Sequence, residues 1–385
     1  MRVHVIDPSA YTPPYDHALC AALAGAGVQV ELYTSRFAHG SVAPAAGYER
    51  REVFYRAASR VRDARVRRAV KLAEHVPDML RYRARAAAAD VVHFQWLAVQ
   101  HLDGLLLPRG RPLVITAHDV LPREARPGQR AAQRRLYSRF DAVVVHSEHG
   151  RARLVEELGV ERGRVHVIPH GAFAHLAAAP AAGDGLPAAP ASPSASADGA
   201  GGLEGAAGPP VVLCFGLMRP YKGIDVLLEA WHGIEGAELW VVGMPRMDIS
   251  ALRRDAPAGV RFEPRYVAEE ELAGYFARAQ LVVLPYREID QSGVLATALA
   301  FGRPLLLSDA GGFPEMAATG AARIVPAGDA RALHEALVEL LGDPEGLARM
   351  AAAASRAAAG ELSWAAVAQR TRELYEQLLA ERRVG

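Results

Sequence analysis

Residues 215–231 read FGLMRPYKGIDVLLEAW, and two cations, Arg219 and Lys222, fall between a strand-like apolar run and a helix that begins behind Gly223. The start of a helix carries about half a positive charge and free N–H groups. A guanidinium that can fork two phosphate oxygens, with a point-charge ammonium beside it, makes such a turn a seat for a diphosphate. The same residue types also suit an ordinary loop with two solvated cations. A second stretch, LPYREIDQSGVLATALAFGRPLLLSDAGGFPE over 284–315, repeats the theme. Gly293 opens a helix after a strand, Gly302-Arg303-Pro304 turns into the next strand, and Gly311-Gly312 form a loop where backbone N–H groups can approach a ligand closely. Glu315 then starts a short helix. Turn geometry explains any one of these glycines; the recurrence at successive strand ends points to binding.

His118, in VITAHDV, lies just past a predicted strand, where an imidazole could donate to a hydroxyl or accept its proton. The alternative is a histidine that caps the next turn beside Asp119. His93, in DVVHFQW, is a candidate for lining a second-substrate side, while His170, in VIPHG, reads as structural. The segment DPSAYTPPYDHAL (7–19) offers Tyr11, Tyr15, Asp16 and His17 as contacts to that second substrate, although turn chemistry from its three prolines accounts for much of it.

Strands must carry these residues. Short apolar runs at 3–6, 28–34, 90–94, 112–116, 142–146 and 165–169 alternate with helical patterns such as 15–27. The alternation predicts parallel βαβ units in a doubly wound sheet. From Leu176 to Pro210, 29 of 35 residues are Ala, Gly, Pro or Ser, a composition that cannot offset chain entropy by burial and is expected to be a disordered linker. The pattern restarts with strands at 211–216, 238–243, 260–264, 281–286, 304–309 and 322–327, and 329–381 is almost all helical. The expected fold class is α/β, with two Rossmann-like doubly wound parallel-sheet domains facing one interdomain cleft. They occupy 1–175 and 211–362, joined by a 176–210 linker, with a helix over 363–385 that could pack back on the first domain. In such sheets ligands bind beyond the carboxyl ends of the strands.

These blocks, with TAHDVLP (116–122) and VVVHSEHGRARLVEELGVERGRVHVIPHG (143–171), resemble the retaining glycosyltransferases of family 4, which adopt the GT-B fold. The resemblance implies a hexosyltransferase that moves sugar from a UDP- or GDP-sugar to a hydroxyl of a glycan or lipid-linked saccharide, without a metal or other cofactor. It implies His118, Arg219, Lys222 and Asp290 nearest the chemistry, with donor contacts from Gly216, Gly223, Glu288, Gln291, Ser292, Gly293, Val294, Thr297, Gly311, Gly312 and Glu315. Tyr11, Tyr15, Asp16, His17 and His93 would face the acceptor. The chain departs from the family pattern in the 284–304 block. Of two glutamates usually set about two helical turns apart, the second falls on Thr297 and the first near Ile289 or Asp290. Asp290, with Glu288 as fallback, would hold donor-sugar hydroxyls. The family arginine more often follows the strand-end glycine directly, where this chain has Leu217.

The bulk numbers set limits. The chain has 385 residues and a formal charge of +1, long enough for two cores and without the field of a nucleic-acid binder. Cys20 and Cys214 sit in apolar patterns and are expected to be buried thiols, in keeping with a reducing cytoplasm. The N-terminal apolar run is too short for a signal peptide, and no run of about 18 apolar residues could span a membrane. Residues 56–85 hold ten Lys or Arg against three acidic residues, which reads as a surface for anionic lipid at the inner membrane face or as a solvated Arg-rich face. Rival readings are a nucleotide-sugar epimerase on the same fold and a non-catalytic nucleotide-sugar binder. A dinucleotide-dependent dehydrogenase is disfavoured, because neither half opens with G-x-G-x-x-G.

Overall fold

The structure is a computed structural model and describes residues 1–37, 40, 42–121, 128–178 and 208–384. The chain divides into two compact units, Met1–Pro169 with Trp364–Gly385, and His170–Ser363.

The first unit is built on a parallel sheet of seven strands among the described residues: β1 (Arg2–Asp7), β2 (Gln29–Ser35), β3 (Glu49–Phe54), β4 (Val91–Phe94), β5 (Leu113–Thr116), β6 (Ala142–Val145) and β7 (Val165–Val167). Their order is β3-β2-β1-β4-β5-β6-β7, so the direction of winding reverses between β1 and β4. Every residue of β4, β5 and β6 is buried, as expected where helices cover both sheet faces. Helices α1 (Pro13–Gly25), α2 (Ala64–Arg85), α3 (Gln100–Leu106), α4 (Gln129–Tyr137) and α5 (Glu148–Glu156) connect the strands. α1 starts on Pro13-Pro14, whose fixed φ suits the first helical turn. Ile6, Phe54, Met79, Tyr82, Phe94 and Phe140 form the centre of the core; each such side chain contributes roughly 1.5–3 kcal/mol by burial.

The C-terminal helix Trp364–Val384 groups with this unit and packs along α1. Its Tyr375 hydroxyl meets His93 Nδ1 of β4 at 2.6 Å, and its Arg372 donates to the Ala26 carbonyl.

The second unit holds a parallel sheet of six strands among the described residues: β8 (Val211–Phe215), β9 (Glu238–Val242), β10 (Val260–Glu263), β11 (Leu281–Leu284), β12 (Leu305–Ser308) and β13 (Ala322–Val325). The order β10-β9-β8-β11-β12-β13 reverses between β8 and β11. Its helices are α6 (Ala174–Ala178), α7 (Ile224–Trp231), α8 (Ser250–Arg254), α9 (Glu269–Arg278), α10 (Gly293–Ala300), α11 (Ala330–Leu341) and α12 (Pro344–Ala359). Trp231, Tyr275, Phe276 and Tyr286 are fully buried. Both sheets have the doubly wound, Rossmann-like topology.

Three sequence expectations change. The division falls after Pro169 rather than at 175, because the Ala172 N–H bonds the Leu362 carbonyl and Phe173 packs against α10. Residues 174–178, partly assigned to the linker, form α6, while 179–207 lie outside the described residues. Strand β3 had no counterpart in the apolar pattern. It is an edge strand with the charged sequence ERREVF, and only Phe54 is buried. Cys20 and Cys214 are free and buried.

Candidate functional site

In the second unit the loops after β8 and β11 flank the point where strand order reverses, the usual place for a ligand in such sheets. The two loops are locked together. Gly223 has φ +67°, and a Cβ there would lie 2.0 Å from the Pro285 carbonyl oxygen. The Arg287 N–H donates to the Tyr221 carbonyl, and the Arg287 guanidinium donates to the Pro220 carbonyl and to both oxygens of Asp225. That pairing holds the Asp225 carboxyl below its usual range.

Lys222 lies inside this assembly at 7% exposure. Its ammonium donates to the Tyr286 hydroxyl and stands 3.9 Å from the Tyr286 ring centroid and 5.7 Å from that of Tyr221. A Cβ on Gly216 would be 3.4 Å from Lys222 Nζ and 3.2 Å from Val294, so the ammonium sits against the end of β8 and beside the first turn of α10. Arg219 is separated from it. The residue precedes the short 3-10 turn Pro220–Lys222 and is exposed, and its guanidinium makes no hydrogen bond or ion pair among the described residues.

The first turn of α10 is half-buried over Gly293–Leu295. Ser292 caps it by accepting from the Leu295 N–H, and Gly293 and Val294 begin the helix. Gln291 is half-buried, and its Oε1 is buried without a partner among the described residues. Asp290 is half-buried and Glu288 exposed at the mouth of the same loop. Thr297 is inside, with its hydroxyl turned back onto the Gly293 carbonyl at 2.8 Å, so no carboxylate reaches out from that position. After β12, Gly311 has φ +57° and backs onto the Ile289 carbonyl, where a Cβ would come within 1.7 Å of the oxygen. Gly312 follows, and Glu315 lies half-buried in the 3-10 helix Phe313–Thr319.

In the first unit, the strand ends at the corresponding reversal carry an aromatic and imidazole nest. His118 is buried with Trp96 stacked on it at 4.9 Å and Tyr15 edge-on at 4.7 Å. His146 Nδ1 donates to the Ile168 carbonyl at 2.9 Å, which leaves its Nε2 to accept from His118 Nδ1 at 3.4 Å. Burial holds His146 neutral, with its pKa lowered to about 4. His118 Nε2 then carries the lone pair and faces the Gln95 amide at 3.2 Å. Gln95 Nε2 is otherwise without a partner, so the amide fits best with its donor end toward His118.

Three residues expected on the acceptor side lie in the interior instead. His93 has both ring nitrogens engaged, by Tyr375 and by Thr116 at 2.8 Å, and burial lowers its pKa to about 3. Tyr15 is buried between His118 and Trp364. Asp16 is buried against Asp7 at the start of α1. Two carboxyls so close in an apolar site cannot both ionise, so Asp16 is pushed well above the carboxylate range and hydrogen-bonds Asp7. Asp7 in turn accepts from the N–H groups of Ser9, Tyr11 and Thr12. His17 is half-buried and bonded to Tyr48, and Tyr11 alone of the five is exposed. Sequence reading passed over Trp96, Tyr286 and Arg287, each a large side chain within three residues of a strand end.

Residues 15–172 match the family described as Glycosyltransferase Family 4, and residues 209–343 match that described as Glycosyl transferases group 1. The chain belongs to the family 4 glycosyltransferases. Among its relatives is the GDP-mannose:glycolipid 4-beta-D-mannosyltransferase of Xanthomonas campestris, 36% identical over 27% of this chain and 31% of that protein. Another is a GDP-mannose-dependent monoacylated alpha-(1-6)-phosphatidylinositol monomannoside mannosyltransferase of Corynebacterium glutamicum, 28% identical over 63% of this chain and 64% of that protein. The match therefore spans less than two thirds of either relative's length. The solved sucrose-phosphate synthase of Thermosynechococcus elongatus covers 99% of this family member with a TM-score of 0.71 at 20% identity. At that identity the likeness concerns the fold, which is that of the GT-B glycosyltransferases.

Proposed function

We propose that the chain transfers a hexose from a nucleotide diphosphate sugar to a hydroxyl of a glycan or lipid-linked saccharide. The observation that carries this reading is the buried ammonium of Lys222 beside the first turn of α10, where strand order reverses. Breaking a sugar–phosphate bond leaves negative charge on the diphosphate and oxocarbenium character on the sugar. Lys222 and the N–H groups of Gly293 and Val294 would absorb that charge where it develops. Arg219, unpartnered at the rim, would close on the diphosphate. Asp290 and Glu288 would orient the sugar, and Gly311, Gly312 and Glu315 would line its other side. His118, its ring held between Trp96, Gln95 and His146, would lie nearest the hydroxyl that attacks. Such chemistry needs no metal or other cofactor.

GDP-mannose is the donor we favour, since it appears in the names of both relatives; a UDP-sugar is the alternative. Retention of configuration is the reading the family resemblance favours. A second reading, inversion, has its own support. The Xanthomonas relative is named for a β-mannoside made from GDP-mannose, in which mannose is α-linked, and Thr297 stands where the family usually has a glutamate. The one-bond C1–H1 coupling at the new glycosidic linkage, read by NMR on the isolated product, separates the two.

Among the described residues no helix is long and apolar enough to cross a membrane. On α2, exposed Val66, Leu72 and Leu80 accompany the arginines. This face would rest on anionic lipid at the inner membrane surface. The test of the whole reading is incubation of the purified chain with GDP-mannose, then UDP-sugars, with and without a glycolipid acceptor. Transfer that needs acceptor supports it. Turnover of donor alone would favour an epimerase, and donor binding without transfer to any acceptor would favour a non-catalytic binder.

A further inference from the structure

The sequence has 44 Lys and Arg residues, and only two of them are lysine, Lys71 and Lys222. A chain that uses arginine almost everywhere keeps lysine at two positions, and both have the same surroundings. Lys222 stands over Tyr286 and Tyr221; Lys71, on α2, stands over Tyr55 at 4.7 Å and Tyr11 at 5.4 Å from the ring centroids. An ammonium within about 6 Å of a ring face is held electrostatically. Arginine's planar fork would not sit there as a point charge. The difference is the third partner. The Lys222 ammonium donates to a phenol, whereas the Lys71 ammonium makes no hydrogen bond or ion pair among the described residues, although the residue is half-buried and the group has three N–H bonds to satisfy.

The tyrosine floor under Lys71 is rigidly built. Tyr55 is buried, and its hydroxyl donates to His75 Nδ1 at 2.8 Å. His75 Nε2 in turn donates to Asp103 at 2.7 Å, and Asp103 also accepts from the Val99 N–H. The Tyr55 N–H donates to Asp78. Tyr55 has φ +53° and Ala10, the neighbour of Tyr11, has φ +48°; these are the two non-glycine residues with positive φ among the described residues. Strain of this kind persists where the surroundings over-determine it, and it gathers at ligand sites. Here both instances flank one lysine, at the carboxyl end of the β1 side of the sheet. Desolvation lowers the Lys71 pKa, so a counter-charge is called for. The carboxylate whose field it feels is Asp7, whose oxygens already accept from three backbone N–H groups.

We propose that Lys71, on its Tyr11–Tyr55 floor, seats an anionic group of the acceptor, either a phosphate ester or a uronate carboxylate. This rests on the reading of the chain as a glycosyltransferase and names the class of acceptor it would take. Reductive 13C-methylation of the full chain marks both lysines without removing their charge, and Lys71→Arg assigns the Lys71 signal. myo-Inositol 1-phosphate and glucuronate are titrated separately, with myo-inositol and glucose as neutral controls and chloride matched throughout. One anion should move the Lys71 resonance saturably while the neutral polyols leave it in place, and the anion that does so names the source. Lys71→Met, which keeps the apolar stem, should weaken that anion at least tenfold in calorimetry. No movement with either anion, equal movement with the neutral controls, or unchanged affinity in Lys71→Met overturns the proposal. GDP binding is titrated on the same samples. If GDP does not bind while the Lys71 shift persists, the anion site stands and its assignment to an acceptor falls.

Discussion

The two lysines make the two units comparable at one point each, and the contrast lies in how their surroundings are fastened. Around Lys222 the fastening is backbone against backbone: Gly223 on Pro285, Gly311 on Ile289, and the Tyr221 carbonyl on the Arg287 N–H. Around Lys71 it is done by side chains reaching inward, through Tyr55, His75 and Asp103 and through the Asp7–Asp16 pair. Backbone contacts leave the first turn of α10 and the Lys222 ammonium held in place with little side-chain freedom to lose. That suits a group which must stabilise charge at the moment it forms. Side-chain networks place shape and hydrogen bonds where a second substrate is recognised, and they make that region sensitive to protonation.

The strongest way to break the comparison is at Lys222. Lys222→Met should lower transfer by about 100–1000-fold, the usual cost of removing one preorganised charge-stabilising donor. The thermal midpoint should stay near wild type, since the alkyl stem is kept. A rate within threefold of wild type, measured as acceptor-dependent GDP release, would remove Lys222 from the chemistry.

A smaller but clear effect is expected from the backbone. Gly223→Ala places a Cβ against the Pro285 carbonyl in a left-handed conformation, and should destabilise the second unit by more than about 1 kcal/mol. Urea unfolding is the measurement, and an unchanged midpoint would mean the two loops are not locked as described.

The first unit should answer to pH instead. His93 and His146 have pKa values lowered to about 3 and about 4 in the folded chain, against 6.5 for an ordinary histidine. Groups depressed in this way contribute stability that is present above the unfolded value and lost as pH falls. Stability should therefore decline from pH 6.5 toward pH 4, by up to about 1.4 kcal/mol per pH unit for each histidine. His93→Gln, which keeps hydrogen-bonding ends but does not titrate, should flatten the decline. A wild-type profile that is level over this window would contradict the buried neutral imidazoles.

The smallest effect is at the surface of the second unit. Arg287→Ala removes an exposed pair with Asp225 and should cost under about 1 kcal/mol of stability. It should still raise the donor KM severalfold, because the guanidinium also holds the Pro220 carbonyl. An unchanged KM would show that the backbone contacts suffice alone.

The β-strands that bury both faces were legible because AVVV and LVVL are unbroken apolar runs and VVHF is interrupted only by His93. The same property hid the fate of His93. A strand covered on both sides has no solvent face, so alternation cannot say whether a polar residue in it meets ligand or core. β3 escaped notice for the opposite reason, since an edge strand needs few apolar residues. The glycine-rich turns of the second unit stood out by type and spacing, whereas Tyr286 and Arg287 became visible only once two loops distant in sequence were seen to meet. Asp16 read as a contact to the second substrate because sequence carries no sign that Asp7 lies against it.

One consequence follows from the membership of Trp364–Gly385 in the first unit. The chain leaves that unit after β7, lays down the whole of the second, and only then supplies Tyr375 to close over His93. On the ribosome, the part made first must wait until the whole second unit has been translated before its interior is sealed. A premature stop near position 360 would therefore harm the half of the molecule that had already been synthesised.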